Sequence, residues 1–404
     1  MRRMLIYSHD SFGLGHLRRC RTIAEDLVSR WPDLSILIIS GSPVIGQFTY
    51  PKNVDFLRVP GVTKSEDGAY MPFDPGSNIE TIINLRTAVI REAVQEFKPN
   101  LFLVDKEPLG LRGEVGPALE LAKQTGTRLV LGVRDVLDAP DRLQREWSRK
   151  NAFDALDTLY DEIWIYGDRQ FYDPLQNLLM PAGIREKARY TGYLRRPSLN
   201  PASNPQPAPF DDPFVLVMAG GGGDGGPLID WTLDTYEQIS HGLPLALIIT
   251  GPFMPVAEQQ TARERAARDP RLKLKTFDAE IEILQAQASA WVTMGGYNTF
   301  CEVLSRDKPC VMVPRTEPRR EQLIRATRAS ELGLVSRVLQ WQDIHDHAAG
   351  SEALGQALSS LAALDAPEAH MWPRLMDGLD GIASFADPWL GPKSIGRTAL
   401  RSVG

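Results

Sequence analysis

Residues Trp291 to Ala326 read WVTMGGYNTFCEVLSRDKPCVMVPRTEPRREQLIRA, and the architecture of the chain can be argued outward from them. Trp291-Val292-Thr293-Met294 is a short apolar run of the kind that forms a buried strand. It stops at Gly295-Gly296, where the backbone can take positive φ and come close to a ligand. The next segment has helical spacing. Phe300, Val303 and Leu304 share one face to bury against a sheet, while Asn298 and Glu302, four residues apart, look outward together from another. Thr299 lies in the first turn, whose unpaired N–H groups and positive dipole end suit a phosphate. A second apolar strand ends at Val313-Pro314, and a charged loop then opens another helix.

The rest of the chain repeats this alternation. Strands are expected at Met4–Ser8, Leu34–Ser40, Asp55–Val59, Leu101–Asp105, Arg128–Val133 and Glu162–Tyr166. Helices are expected from His16 through Val28, over Ser77–Phe97 and over Glu114–Gln124. Strands alternating with helices imply a parallel sheet covered on both faces. Arg195 to Pro213 holds six prolines and almost no large apolar side chain, as an extended linker does. A second series follows: strands Phe214–Ala219, Leu245–Thr250 and Leu272–Phe277, with helices Pro227–Ser240 and Pro255–Arg268 between them. The fold class is therefore α/β, with two Rossmann-like domains facing a central cleft. The boundaries read as 1–194, a linker at 195–213, 214–371, and a C-terminal segment 372–404 with a helix over Trp372–Phe385 that packs back on the first domain. Gly61 to Gly76 has no period and reads as a long loop able to carry acceptor selectivity.

Composition narrows the functional classes. A chain of 404 residues with 43 % apolar content is globular and long enough for two cores. A net charge of −6 offers no global attraction to nucleic acid or to an anionic membrane. Cys20, Cys301 and Cys310 form no CxxC pair and read as small buried hydrophobes. The opening MRRMLIYSHD reads as a first strand rather than a signal peptide, and no apolar stretch reaches the roughly 18 residues of a membrane span. A cytoplasmic location is expected, with peripheral attachment at the inner face of the membrane left open.

The chemistry is expected at strand ends. Gly220 to Gly226, GGGGDGG, follows the first strand of the second series, and Gly221, Gly222 and Gly223 suit a backbone nest for a diphosphate. No Gly-Lys-Ser/Thr follows, so this is not a Walker A loop. Gly13-Leu14-Gly15-His16 lacks the spacing of a dinucleotide fingerprint. His16, at a helix start whose dipole disfavours imidazolium, suits a general base. Asp105, at the end of the fourth strand, faces the same crevice and would orient it, or would cap its own loop. Glu302 has two readings, since Thr299-x-x-Glu302 also fits a capping box. Arg315, with Arg319 and Arg320, suits phosphate or a solvated loop. No Asp-x-Asp follows a predicted strand and His345-Asp346-His347 has no third ligand in view, so neither a metal nor another cofactor is expected.

The block from Gly295 to Gln322 resembles the donor-binding region of MurG-type glycosyltransferases: a small-residue turn at Gly295-Gly296, a helix carrying Glu302, a strand ending in Val313-Pro314, and a loop with Gln322. Gly13-Leu14-Gly15-His16 resembles the first glycine motif of the same enzymes. The sequence departs from that pattern at Tyr297-Asn298-Thr299, where smaller residues are usual, and at Arg325, where Asn is common. The resemblance implies the two-domain arrangement called GT-B and an inverting, metal-independent transfer of sugar from a nucleotide-sugar, of the UDP-sugar class, to a hydroxyl acceptor. It implies ribose contact by Glu302, donor-sugar contact by Gln322, and nucleobase contact near Thr276-Phe277-Asp278, although Phe277 by itself reads as core. By analogy the acceptor would be a lipid-linked or polysaccharide precursor of the cell envelope. A nucleotide-sugar hydrolase or 2-epimerase, or a non-catalytic nucleotide-sugar binder, would keep the same donor residues.

Overall fold

The central apolar runs become strands because they are buried on both faces, which a parallel sheet covered by helices provides. The computed structural model describes residues 2–9, 15–64, 70–74, 76–196, 207–221, 223–278, 280–340, 347–361 and 372–392. The first half of the chain supplies β1 (Arg2–Ser8), β2 (Leu34–Ser40), β3 (Val54–Arg58), β4 (Val62–Lys64), β5 (Tyr70–Pro72), β6 (Leu101–Asp105), β7 (Arg128–Arg134), β8 (Glu162–Tyr166) and β9 (Ala188–Tyr190). The second half supplies β10 (Phe214–Met218), β11 (Leu245–Ile249), β12 (Leu272–Lys275), β13 (Ala290–Thr293), β14 (Cys310–Met312) and β15 (Arg337–Val338).

Seven strands form the first sheet in the order β3-β2-β1-β6-β7-β8-β9, and six form the second in the order β12-β11-β10-β13-β14-β15. All the pairings within these two sheets are parallel. In each sheet the chain starts in the middle, builds outward on one side, then crosses to the other. The reversals fall between β1 and β6 and between β10 and β13. A crevice opens outside the carboxyl ends of strands at such a reversal. The topology therefore decides where the site lies before any side chain is considered.

The two halves share a core. Tyr193 and Phe171, from the first half, pack against Phe300 of the second at ring-centroid distances of 5.2 and 5.5 Å. A buried ion pair crosses beside them: Arg325 Nη2 lies 2.6 Å from Asp135 Oδ1, and both side chains are wholly excluded from solvent. Tyr193 donates its hydroxyl to the other oxygen of Asp135 at 2.7 Å. This carboxylate is thus satisfied from both halves, as a buried charge must be.

Three sequence expectations are corrected here. The C-terminal helix spans Gly378–Leu390 rather than Trp372–Phe385. Pro373 and the positive φ of Arg374 (68°) hold the chain out of helix until Asp377. The helix lies on the helix Gly15–Arg30 and on β1 and β6, and Gly381 allows the approach, since a Cβ there would stand 2.4 Å from the Thr191 carbonyl. The segment Gly61–Gly76 contains the antiparallel pair β4–β5, too short to show a period. Finally, helices at Pro140–Arg149 and Ala152–Thr158 were not anticipated between β7 and β8. The cysteines are buried and unpaired, as expected. Among the described residues, no helix is long and apolar enough to cross a membrane.

Candidate active site

A cavity of about 500 Å³ lies between the halves, where the start of the helix Gly15–Arg30 and the turns after β10 and β13 converge. Its first wall belongs to the helix Gly15–Arg30. Gly15 and His16 line the cavity, and Asp105 stands behind them at the end of β6, fully buried. His16 Nδ1 makes a close hydrogen bond to Asp105 Oδ2. Arg19 Nη2 also lies 2.9 Å from Nδ1, but the closer contact is to the ionised carboxylate, which calls for the proton on Nδ1 and leaves Nε2 as the acceptor. Burial pulls the His16 pKa down to about 4, against the opposing pull of Asp105, so the ring is neutral at physiological pH. Partial burial is the largest of the causes that keep it so.

The sequence reading missed the group behind this pair. Arg19 donates from Nη2 to both oxygens of Asp105 at 2.7 Å and from Nε at 3.0 Å. Burial disfavours the Asp105 charge, yet Arg19 and His16 outweigh that and hold its pKa below the usual carboxylate range. Asp105 is therefore an ionised orienter held from two sides, not a loop cap. A signal for Arg19 did exist: Arg18 and Arg19 stand in the first turns of a helix, where the dipole disfavours cations, so a specific anion had to compensate them.

The second wall is made of turns and one helix start. Gly221 and Gly223 line the cavity, and Gly222 lies outside the described residues. Gly295 turns with φ 81° behind the wall and accepts from Arg325 Nη1 at 3.0 Å. Gly296 precedes the helix Tyr297–Arg306, and a Cβ on it would meet nothing within 4 Å. Gly296 caps that helix with no side-chain bond, and Thr299 is already its third residue. The capping-box reading of Glu302 is thereby excluded. Nor do Asn298 and Glu302 look out to solvent. Glu302 is buried, accepts from Gln285 Nε2 at 2.8 Å and pairs with Arg18 of the opposite wall at 2.9 Å. Asn298 donates to the Gly15 carbonyl at 2.8 Å and accepts from Arg196 at 2.6 Å. Both side chains face the cleft and bridge it.

Phe277 lines the cavity and is 51 % exposed, so it is not core. Asp278 beside it accepts from Lys275 at 3.0 Å. Arg315 also lines the cavity, tied to Asp224 at 2.5 Å and to Glu321 at 2.7 Å. Gln322 lies between the Met294 carbonyl (2.8 Å) and Arg315 Nε (3.0 Å). Arg319 and Arg320 do not line the cavity: Arg319 pairs with Glu146 at 2.8 Å, and the Arg320 backbone amide donates to Asp138 at 2.8 Å. No cluster of three or more His, Cys, Asp or Glu suited to a metal ion occurs among the described residues, and His345 and Asp346 lie outside them.

The departures at Tyr297 and Arg325 now have a physical account. Tyr297 is buried with Arg19 and Arg325 over its ring at 5.4 and 5.8 Å, and it stacks on Tyr193 at 6.1 Å. Both residues, with Asn298, join the two halves.

Comparison with known structures fits this geometry. CalG4, the calicheamicin glycosyltransferase, superposes with a TM-score of 0.59 over 97 % of this chain and 99 % of its own, at 17 % identity. MurG of Acinetobacter baumannii does so at 0.59 over 96 % and 100 %, at 12 % identity. A UDP-N-acetylglucosamine 2-epimerase reaches 0.55 over 97 % of each chain, at 10 % identity. The fold is GT-B. Equal scores for CalG4 and MurG establish the shared scaffold and single out neither. No protein-family model matches the sequence, and no curated protein sequence matches it.

Proposed function

We propose that the protein is a glycosyltransferase that moves a sugar from a nucleotide-sugar, of the UDP-sugar class, to a hydroxyl acceptor by a metal-independent, inverting displacement. One observation carries the reading: a neutral imidazole fixed by an ionised carboxylate faces, across one cavity, glycine turns and an uncapped helix start. In this reading residues 1–194 take the acceptor and 214–371 the donor, with 195–213 as linker and 372–404 returning to the first domain.

The donor's diphosphate would lie against Gly221, Gly222, Gly223 and the helix start at Gly296, where backbone N–H groups and the dipole offset its charge without a cation. Glu302 would accept from ribose hydroxyls. It holds two partners already, and a carboxylate has about four lone-pair sites. Phe277 and Asp278 would flank the base, and Gln322 and Arg315 the sugar and phosphates. His16 Nε2 would take the proton of the acceptor hydroxyl as its oxygen bonds to the anomeric carbon. The bond from that carbon to the diphosphate breaks, and the leaving nucleotide keeps the electron pair. Asp105 stabilises the imidazolium formed.

The test is incubation with UDP-, GDP- and dTDP-sugars, with and without short oligosaccharides and polyprenyl-linked sugars. A sugar-bearing acceptor, formed by the wild type and lost in His16→Ala, is expected. Free sugar or an epimer without acceptor would instead assign hydrolysis or the 2-epimerisation named for one of the similar structures. Nucleotide binding with no product of either kind would make the protein a binder rather than an enzyme.

A further inference from the structure

The arginines around the cavity differ in one respect. Arg18 pairs with Glu302 and Glu282, Arg19 with Asp105, and Arg315 with Asp224 and Glu321. Arg134 also lines the cavity, yet it has no carboxylate within 4.0 Å among the described residues and no hydrogen bond on its buried Nε. It ends β7, otherwise a wholly apolar strand core, and its neighbour Asp135 is fully used by Arg325 and Tyr193. Burial without a partner brings its pKa down to about 10, and of the groups acting on it only Glu321 pulls the other way, while Arg325, Arg19 and Arg319 repel it. A half-buried guanidinium that opens on the cavity with no carboxylate partner among the described residues is a site for an anion.

Its position limits which anion. Arg134 belongs to the first wall, whereas the glycine turns proposed for the diphosphate belong to the second. Gly132, two residues before it, pairs with Asp105 in the sheet, and Arg134 shares the cavity with His16 and Gln322. It therefore leaves the strand beside the one that carries Asp105 and opens on the cavity that also holds the proposed donor-sugar contact.

We propose that Arg134 is a specificity-determining residue that binds an acidic group of the substrate, a carboxylate or phosphate distinct from the donor's diphosphate. The inference rests on the nucleotide-sugar reading above. The acidic group has two sources: a uronic acid as the transferred sugar, or an acidic acceptor.

Calorimetric titration separates them. Wild type, Arg134→Gln and Arg134→Lys are titrated with UDP, UDP-glucose and UDP-glucuronate, and then, saturated with UDP, with glucuronate and with glucose 1-phosphate. A donor source predicts that Arg134→Gln weakens UDP-glucuronate by roughly ten- to a hundredfold, leaves UDP and UDP-glucose within about twofold, and is partly rescued by Arg134→Lys. An acceptor source predicts that glucuronate or glucose 1-phosphate binds the UDP-saturated wild type and not Arg134→Gln. If Arg134→Gln weakens UDP itself by the same factor, Arg134 serves the diphosphate and the inference is overturned. It is overturned too if no acidic ligand distinguishes the folded variants, whose thermal melts check integrity. Failure of every nucleotide to bind wild type would bring down the nucleotide-sugar reading and this inference with it. UDP binding without discrimination would overturn the inference alone.

Discussion

The two walls of the cleft are built on opposite principles. On the first, Asp105 and Arg19 are buried and committed to each other, and they fix His16 in one orientation. On the second, the surface is open backbone at Gly296 and a half-exposed Phe277. Chemistry gains from charges placed in advance, because fixed dipoles in a dry site need no reorganisation during reaction. A donor that must enter and leave gains from room and from backbone donors. The contrast teaches that the first wall should respond to mutation as a rigid electrostatic device, and the second as a binding surface.

The largest effect should come where the walls are joined. Asp135→Ala leaves the Arg325 guanidinium buried without its carboxylate, and unfolding by denaturant should show a loss of about 3–5 kcal/mol. Asp135→Ala as stable as wild type would mean that the walls are not held together by this pair. Next, His16→Ala should lower transfer by about 10²–10⁴-fold while nucleotide affinity, measured separately, stays within about twofold. A large fall in affinity would place His16 on the binding side of the comparison. Third, the pH profile of kcat/KM should keep its acid limb near the His16 value of about 4 rather than near ~6.5. The sign for stability agrees. The unfolded imidazole binds a proton more readily than the folded one, so this contribution is complete above ~6.5 and fades as the pH falls toward 4. An acid limb near 6.5 would mean that the ring is solvated, not buried. The smallest effect is expected outside the cleft: Arg30 pairs with the exposed Asp380 at 2.7 Å, and Asp380→Asn should shift stability by less than about 1 kcal/mol.

The second wall was largely legible in the sequence and the first only in outline. Gly295, Gly296, Glu302 and Gln322 are close in sequence, and the resemblance to MurG-type enzymes singled them out where spacing alone left Glu302 with two readings. His16 and Asp105 could be placed at the cleft because each ends or follows a strand at a reversal of strand order. Arg19 and the Asp135–Arg325 pair were not found, since their meaning depends on partners 86 and 190 residues away, and Arg134 was not, since its meaning lies in the partner it lacks among the described residues. Periodicity reports which face of an element is buried, not which distant charge compensates it. The same limit explains Glu302, whose apparent outward face meets Arg18 of the other half. The helices at Pro140–Arg149 and Ala152–Thr158 escaped notice for a local reason: the first has only Leu143 and Trp147 buried, too few to mark a period.

Calorimetric titration with UDP, GDP and dTDP, on the wild type and on Glu302→Gln, tests the central claim most directly. Glutamine keeps the volume between Arg18 and Gln285 while removing the charge that would hold ribose hydroxyls. The account predicts that one nucleotide binds the wild type and that Glu302→Gln weakens it about tenfold. If none binds, or the variant binds as tightly as the wild type, the second wall is not a nucleotide site as described.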